Sequence, residues 1–322
     1  MSRTDEMTGS PAQLSVILVT YNSEAFIAPC IDAVLDQAAT LPLELIVVDN
    51  GSTDSTVSSV AERYPSVRLI SGGGNRGFAG GNNEGARHAS ADILLLLNPD
   101  TVALPGSLAK LTEAIEADPG VGVAGGLLIG ADGGPVMSYG DFPTLAWALT
   151  ATAPMRRLRV RPSADPGRVP IIGEPSRDVD YVSGACLMIR RCLWDALGGM
   201  DEDYFLYFEE TDLCLRARTA GWRCRFVSEA SVRHLEGASF ADRSVARSVR
   251  FHEGLLLFMR KNRGPAASLL VRVWMLLVNA SLLVVGSLFG RWMPGVRANR
   301  EVQHSLLCVA LNPATPAAVR QR

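Results

Sequence analysis

The chain has 322 residues, 48% of them hydrophobic and 20% charged, enough to bury the core of one large domain or two modest ones. A formal net charge of −2 leaves no global basic footprint, and no nucleic-acid partner is expected. Six scattered cysteines, Cys30, Cys186, Cys192, Cys214, Cys224 and Cys308, have neither the paired spacing of a zinc site nor the density of a disulfide scaffold, which fits a reducing compartment.

Residues 1–13 are polar, with Asp5 and Glu6 and no basic start leading into an apolar stretch. They are expected to be disordered rather than a signal peptide, with the catalytic body on the cytoplasmic side. From Leu14 to about Val123, short β-branched runs alternate with helical periodicity, the pattern of strands joined by crossover helices. Strands are predicted at Leu14–Thr20, Leu43–Asp49, Val67–Ile70, Ile93–Leu97 and Gly122–Leu128. Ile27, Ile31, Val34 and Leu35 mark one helix face. Val57, Val60, Ala61 and Tyr64 mark a second, opened by the N-cap signal Ser52-Thr53-Asp54-Ser55. Another helix is predicted from Pro105, with Leu108, Leu111 and Ile115 on one side. This half reads as a doubly wound α/β sheet.

Asp132 to Asp178 is rich in proline and carries the basic run Arg156, Arg157, Arg159 and Arg161, so it is predicted to be mostly loop. Regular structure is predicted to resume at Val179–Ile189 and Tyr204–Phe208, then a helix from about Thr211 to Ala220 closed by Gly221, then a strand at Arg223–Val227. Further on, Arg243, Arg247 and Arg250 recur on one face of a predicted helix that ends in Arg260, Lys261 and Arg263. Such a face suits a membrane surface, and an ordinary solvated helix would show it too. Val273–Gly290 is uncharged between Arg272 and Arg291, just long enough for a span, but cations flank both ends, so the positive-inside asymmetry is missing. An interfacial or re-entrant helix on the cytoplasmic leaflet is the preferred reading and a single span the second. The expected organisation is a catalytic domain over 14–240, with a loop-rich insertion at 132–178, and a helical membrane-associating region over 241–322.

Four segments carry chemistry. The run Ile93–Leu97 stops at Asn98-Pro99-Asp100, which puts a carboxylate just past a strand end, where a hard divalent ion can bridge to substrate phosphates. Asn-Pro-Asp is also ordinary turn chemistry. Asp49 ends another strand in Asp49-Asn50-Gly51-Ser52 and could accept a hydrogen bond from a base or ribose, though it too suits a turn. The run from Ser71 to Asn82 satisfies a dinucleotide-binding glycine spacing at Gly72, Gly74 and Gly77, but after the third strand instead of the first. With Arg76 beside it, this run suits a diphosphate. Glu209, Glu210 and Asp212 crowd a helix start after an aromatic strand predicted at Tyr204–Phe208, as caps or as a general base whose ionised form the helix dipole favours. His234 is a candidate metal ligand or an ordinary core histidine.

Taken in order, Val19-Thr20-Tyr21-Asn22, Val47-Val48-Asp49-Asn50-Gly51-Ser52-Thr53-Asp54, Asn75-Arg76-Gly77-Phe78-Ala79, Leu97-Asn98-Pro99-Asp100 and Phe208-Glu209-Glu210-Thr211-Asp212-Leu213-Cys214-Leu215-Arg216 closely resemble family-2 glycosyltransferases. Among these, the chain looks like the bacterial rhamnosyltransferases that extend lipid-linked sugars, and the likeness covers roughly 14–240. The resemblance implies the GT-A fold, a doubly wound, Rossmann-like mixed sheet. It implies that Thr20, Asn22 and Asp49 hold the nucleoside of a dTDP- or UDP-sugar, and that Asn75 and Arg76 lie near its ribose, sugar or diphosphate. Asn98-Pro99-Asp100 stands in the place of the family's Asp-x-Asp motif, with Asp100 the ligand for Mg²⁺ or Mn²⁺ and Asn98 a neutral substitute. His234 matches the family histidine that can complete the metal shell. Glu210 matches the base position where the family commonly has aspartate, with Asp212 the fallback. The implied reaction is inverting transfer to a lipid-linked or polysaccharide acceptor in cell-envelope glycan synthesis. Two other readings stay open: a catalytically silent sugar-nucleotide or lipid-binding scaffold, suggested by Asn98 and Glu210, and a nicotinamide-dependent oxidoreductase, suggested by the glycine run.

Overall fold

The computed structural model describes residues 12–152, 167–235, 244–289 and 300–311. Strands β1 (Leu14–Thr20), β2 (Leu43–Asp49), β3 (Arg68–Ile70) and β4 (Ile93–Leu97) alternate with helices α1 (Ile27–Leu35), α2 (Thr56–Arg63) and α3 (Gly77–His88). Next come β5 (Thr101–Ala103), α4 (Ser107–Glu116), β6 (Val121–Ile129), β7 (Tyr139–Gly140), α5 (Leu145–Ala151) and β8 (Gly167–Arg168). They are followed by β9 (Arg177–Val179), β10 (Tyr181–Val182), β11 (Cys186–Arg190), α6 (Arg191–Leu197), α7 (Glu209–Thr219) and β12 (Arg223–His234). Helices α8 (Ser244–Asn262), α9 (Pro265–Phe289) and α10 (Arg300–Leu311) complete the described chain.

The main sheet runs β3-β2-β1-β4-β11-β6-β12-β5, with β9 also on β12. The first four strands are parallel, whereas β11 and β5 run antiparallel to their neighbours, so the sheet is mixed. Every residue of β1 and β4 is buried because helices cover both faces, which is why β4 reads as an unbroken apolar run and β1 as one interrupted only by Ser15 before its terminal Thr20. One face packs under α1, α2 and α4, the other under α3, α6 and α7. A third core joins α5, α8, α9 and α10 to Tyr204 and Phe208.

Within 132–178 the described residues are mostly loop, interrupted by the short elements β7, α5, β8 and β9, with Tyr139 packed on Phe226 at 4.8 Å between ring centroids and Trp147 in the third core. The structure corrects several expectations. Val179–Ile189 holds the end of β9, then β10 and most of β11, separated by a bend at Asp180 and a turn at Ser183–Ala185. Tyr204–Phe208 is no strand, since Tyr207 and Phe208 have φ of 71° and 73°, a left-handed conformation that a strand excludes. The helix expected from Pro105 starts at Ser107, after Gly106 at φ 78°. β12 continues beyond Val227 through a register shift to His234. The expected disorder of residues 1–11, the basic run at 156–161, Arg243 and Arg291 lie outside the described residues.

Candidate active site

β1 and β2 are in register, with Thr20 opposite Asp49, so both end at one edge of the sheet, where β4 also delivers Asn98-Pro99-Asp100. Asp49 is buried and accepts from the Thr20 hydroxyl at 3.2 Å and from the Gly51 and Ser52 amides at 3.0 Å each. Asn22 sits at φ 51°, and its side-chain oxygen accepts from the Thr53 amide at 2.8 Å, stapling the β1 loop to the β2 loop. The Asn75 side chain accepts from the Gly77 amide at 3.0 Å where α3 begins. Between these loops lies a cleft of about 290 Å³, lined by Asp49, Asn50, Ile70, the Gly72–Gly74 run, Arg76 and Glu84. The Arg76 guanidinium, expected beside a diphosphate, is held by Glu84 at 2.9 Å and Glu202 at 3.4 Å.

Asp100 and His234 meet because β5 pairs with the end of β12, placing His234 opposite Thr101. His234 Nε2 stands 3.4 Å from Asp100 Oδ1, and its Nδ1 is buried without a partner among the described residues. The Leu235 amide donates to the Asp100 carbonyl at 3.0 Å and the Thr101 hydroxyl to the Asn98 carbonyl at 2.7 Å, which fix this corner. No cluster of three or more potential protein ligands for a metal occurs among the described residues. An aspartate and a histidine fit an ion that takes its remaining ligands from a diphosphate and water.

Glu209 and Glu210 open α7, each with one buried carboxylate oxygen unpartnered among the described residues. Burial, reinforced by Glu210, pushes Glu209 well above the ordinary glutamate range; burial likewise raises Glu210 against the pull of nearby backbone amides. Desolvation therefore outweighs the helix-end field expected to favour both ionised forms. The turn at Ser183–Ala185, absent from the sequence reading because small residues flanked by apolar ones passed for one strand, links the corners. The Asn98 amide donates to the Ala185 carbonyl at 3.1 Å, and a Cβ on Gly184 would stand 3.6 Å from the Glu210 Cβ. Asp100, Asn98, Gly184 and Glu210 thus line one contiguous edge.

Asp212 faces elsewhere. Its buried carboxylate accepts from Arg216 at 2.7 Å, from Asn262 at 2.9 Å and from the Tyr204 hydroxyl at 3.4 Å, tying α7 to α8. Asp212→Ala is expected to cost about 2–3 kcal/mol of stability, at the low end for a broken buried pair because Arg216 keeps two carbonyl partners. Denaturant unfolding checks this, and turnover by the folded fraction should remain measurable.

An open mixed α/β sheet with polar loops and a carboxylate at its C-terminal edge, and an acidic helix start across that edge, defines a GT-A glycosyltransferase. The chain belongs to glycosyl transferase family 2, whose family model matches residues 15–192. It is 31% identical over 273 residues, 76% of this chain and 83% of the other, to the N-acetylglucosaminyl-diphospho-decaprenol L-rhamnosyltransferase of Mycobacterium tuberculosis. It is 28% identical to a low-salt glycan biosynthesis hexosyltransferase of Haloferax volcanii, over 64% of this chain and 61% of that one. In fold it is similar to the mannosyltransferase PcManGT from Pyrobaculum calidifontis, solved with GDP-Man and Mn²⁺, at a TM-score of 0.54 and 19% identity over 94% of this chain and 88% of that one. Staphylococcus aureus TarS 1–349 aligns at a TM-score of 0.51 and 16% identity, over 92% of this chain and 90% of that one. This membership sets aside the nicotinamide reading, whose glycine run follows β3 rather than β1.

Proposed function

We propose that the chain transfers L-rhamnose, with inversion, from a dTDP- or UDP-linked donor to a lipid-linked N-acetylglucosaminyl diphosphate at the cytoplasmic face of the membrane. The observation that carries the chemistry is the contiguous edge from Asp100 and His234 through Gly184 to Glu210. Support for the sugar and acceptor comes from the mycobacterial relative, an N-acetylglucosaminyl-diphospho-decaprenol L-rhamnosyltransferase.

In this reading the cleft beside Asp49 takes the nucleoside, with Thr20 and Asn22 fixing its loops and Asn75 setting the start of α3. Asp100 and His234 would hold Mg²⁺ or Mn²⁺, which would supply positive charge against the leaving diphosphate. Glu210 accepts the proton of an acceptor hydroxyl as its oxygen bonds to the anomeric carbon. The bond from that carbon to the phosphate oxygen breaks, and its electron pair leaves with the nucleoside diphosphate. Asp212 acts as a structural tie instead of a second base. The test is incubation with dTDP-L-rhamnose or the UDP-sugar and N-acetylglucosaminyl-diphospho-decaprenol. Donor-dependent release of nucleoside diphosphate with a glycolipid one deoxyhexose heavier is expected, and absence of transfer from either donor refutes the reading.

The membrane contact is assigned to α9, whose stretch Pro265–Val285 has a mean hydropathy of 2.1. Leu269, Leu270, Val273, Trp274 and Leu277 are exposed on one face, while Val271 and Met275 pack into the third core on the other. Ser268 bonds the Leu256 carbonyl of α8 and Arg272 the Ala310 carbonyl of α10, so a spanning α9 would drag the charges of α8 into hydrocarbon. An in-plane helix avoids that cost. Carbonate extraction is expected to release the protein, and Leu270→Asp with Leu277→Asp to lower its binding to anionic vesicles. Retention in the carbonate pellet would establish a span instead.

A further inference from the structure

We propose that α8 sets the position of the Glu210 carboxylate, acting through Gly254 and Phe251 on the two left-handed residues that precede α7. This rests on Glu210 being the base. Tyr207 and Phe208, at φ 71° and 73°, direct the chain into the first turn of α7, and consecutive non-glycine residues persist in that conformation only where their surroundings over-determine it.

Those surroundings come from two sides. Against α3, the Phe78 amide donates to the Phe205 carbonyl at 3.0 Å, and a Cβ on Gly77 would lie 2.3 Å from that same oxygen. Against α8, the Phe251 ring centroid stands 5.2 Å from that of Phe208 and 6.3 Å from that of Tyr207. A Cβ on Gly254 would lie 2.7 Å from the Tyr207 carbonyl oxygen and 2.9 Å from Phe208 Cδ2. The bare Cα of Gly254 therefore lets α8 close onto the backbone carrying the base, and no alanine fits without moving that backbone. Glycine in the interior of a helix is otherwise unfavourable, which leaves the close approach as its reason for being there. Gly254 and Phe251 are positioning residues, since neither touches the reacting atoms.

The experiment measures kcat, donor KM and donor Kd for Gly254→Ala and Phe251→Leu with dTDP-L-rhamnose and N-acetylglucosaminyl-diphospho-decaprenol. A displaced base lowers kcat at least tenfold in Gly254→Ala and less in Phe251→Leu, with donor KM and Kd within twofold of the parent, because neither residue lines the cleft beside Asp49. A merely structural glycine predicts wild-type kcat in the folded protein, with the cost of the close contact appearing only as a lowered melting temperature. Wild-type kcat in folded Gly254→Ala, or a loss shared equally by kcat and donor binding, overturns the proposal. If Gly254→Ala does not fold, Phe251→Leu decides by the same criteria. Glu210→Gln run alongside separates the two ideas: its full turnover would remove the base assignment, whereas a dead Glu210→Gln beside an unaffected Gly254→Ala would remove only the role of α8.

Discussion

Glu210→Gln is expected to fold, bind donor normally and lose about 10²- to 10⁴-fold in kcat, the usual contribution of a positioned general base. The amide keeps the shape of the carboxylate and accepts no proton. Because burial raises Glu210, the parent enzyme should lose kcat on acidification at a pH above the ordinary glutamate range, where the inactive protonated form accumulates. The sign for stability is the reverse. A carboxyl whose folded pKa is raised contributes stability that is present below its unfolded pKa and lost as pH rises through the folded value. Glu210→Gln should therefore raise the melting temperature at pH 8 relative to the parent and change it little at pH 4, a gain in stability with a loss of function. Wild-type turnover in a folded Glu210→Gln protein would hand the base role to another group.

The legible parts of the fold are those where burial and sequence coincide. β1, β2 and β4 have the predicted bounds because both faces of each are largely covered and each ends at a polar turn. Tyr204–Phe208 misled because aromatic residues favour strands, while contacts with α3 and α8, remote in sequence, impose left-handed backbone there. The basic periodicity of α8 suggested a lipid-facing surface. In the fold, however, Arg250 lies over the Phe205 ring at 4.6 Å, and Lys261 pairs with Asp201 and Asp203. Two of the charges that looked free are thus engaged with the segment that delivers Glu210, and only the tertiary arrangement could reveal that. The site was legible as a set of residue types in order; the nearness of His234 to Asp100 was not, since it needs β12 to run past its bulge and pair with β5.

Asp100→Ala is expected to abolish transfer, with a loss of about 10³-fold or more, corresponding to several kcal/mol of leaving-group stabilisation at about 1.4 kcal/mol per decade. The competing view, that Asp100 is only turn chemistry with a histidine neighbour, makes a different prediction. Its contact with Leu235 runs through the main chain, and the Asn98 contacts with Thr101 and Ala185 do not involve the Asp100 side chain, so alanine preserves all of them. The variant should therefore keep its fold, and the loss should appear in metal affinity. Titration of Mn²⁺ in the presence of dTDP, read by calorimetry, is expected to show weak or no binding for Asp100→Ala and a smaller weakening for His234→Ala. Excess Mn²⁺ should restore much of the His234→Ala rate, because on the proposed reading Asp100 and the diphosphate would still hold the ion, and little of the Asp100→Ala rate. Unchanged Mn²⁺ affinity in a folded but inactive Asp100→Ala protein would move Asp100 from metal ligand to donor contact. Full activity there would return Asn98-Pro99-Asp100 to the turn it resembles.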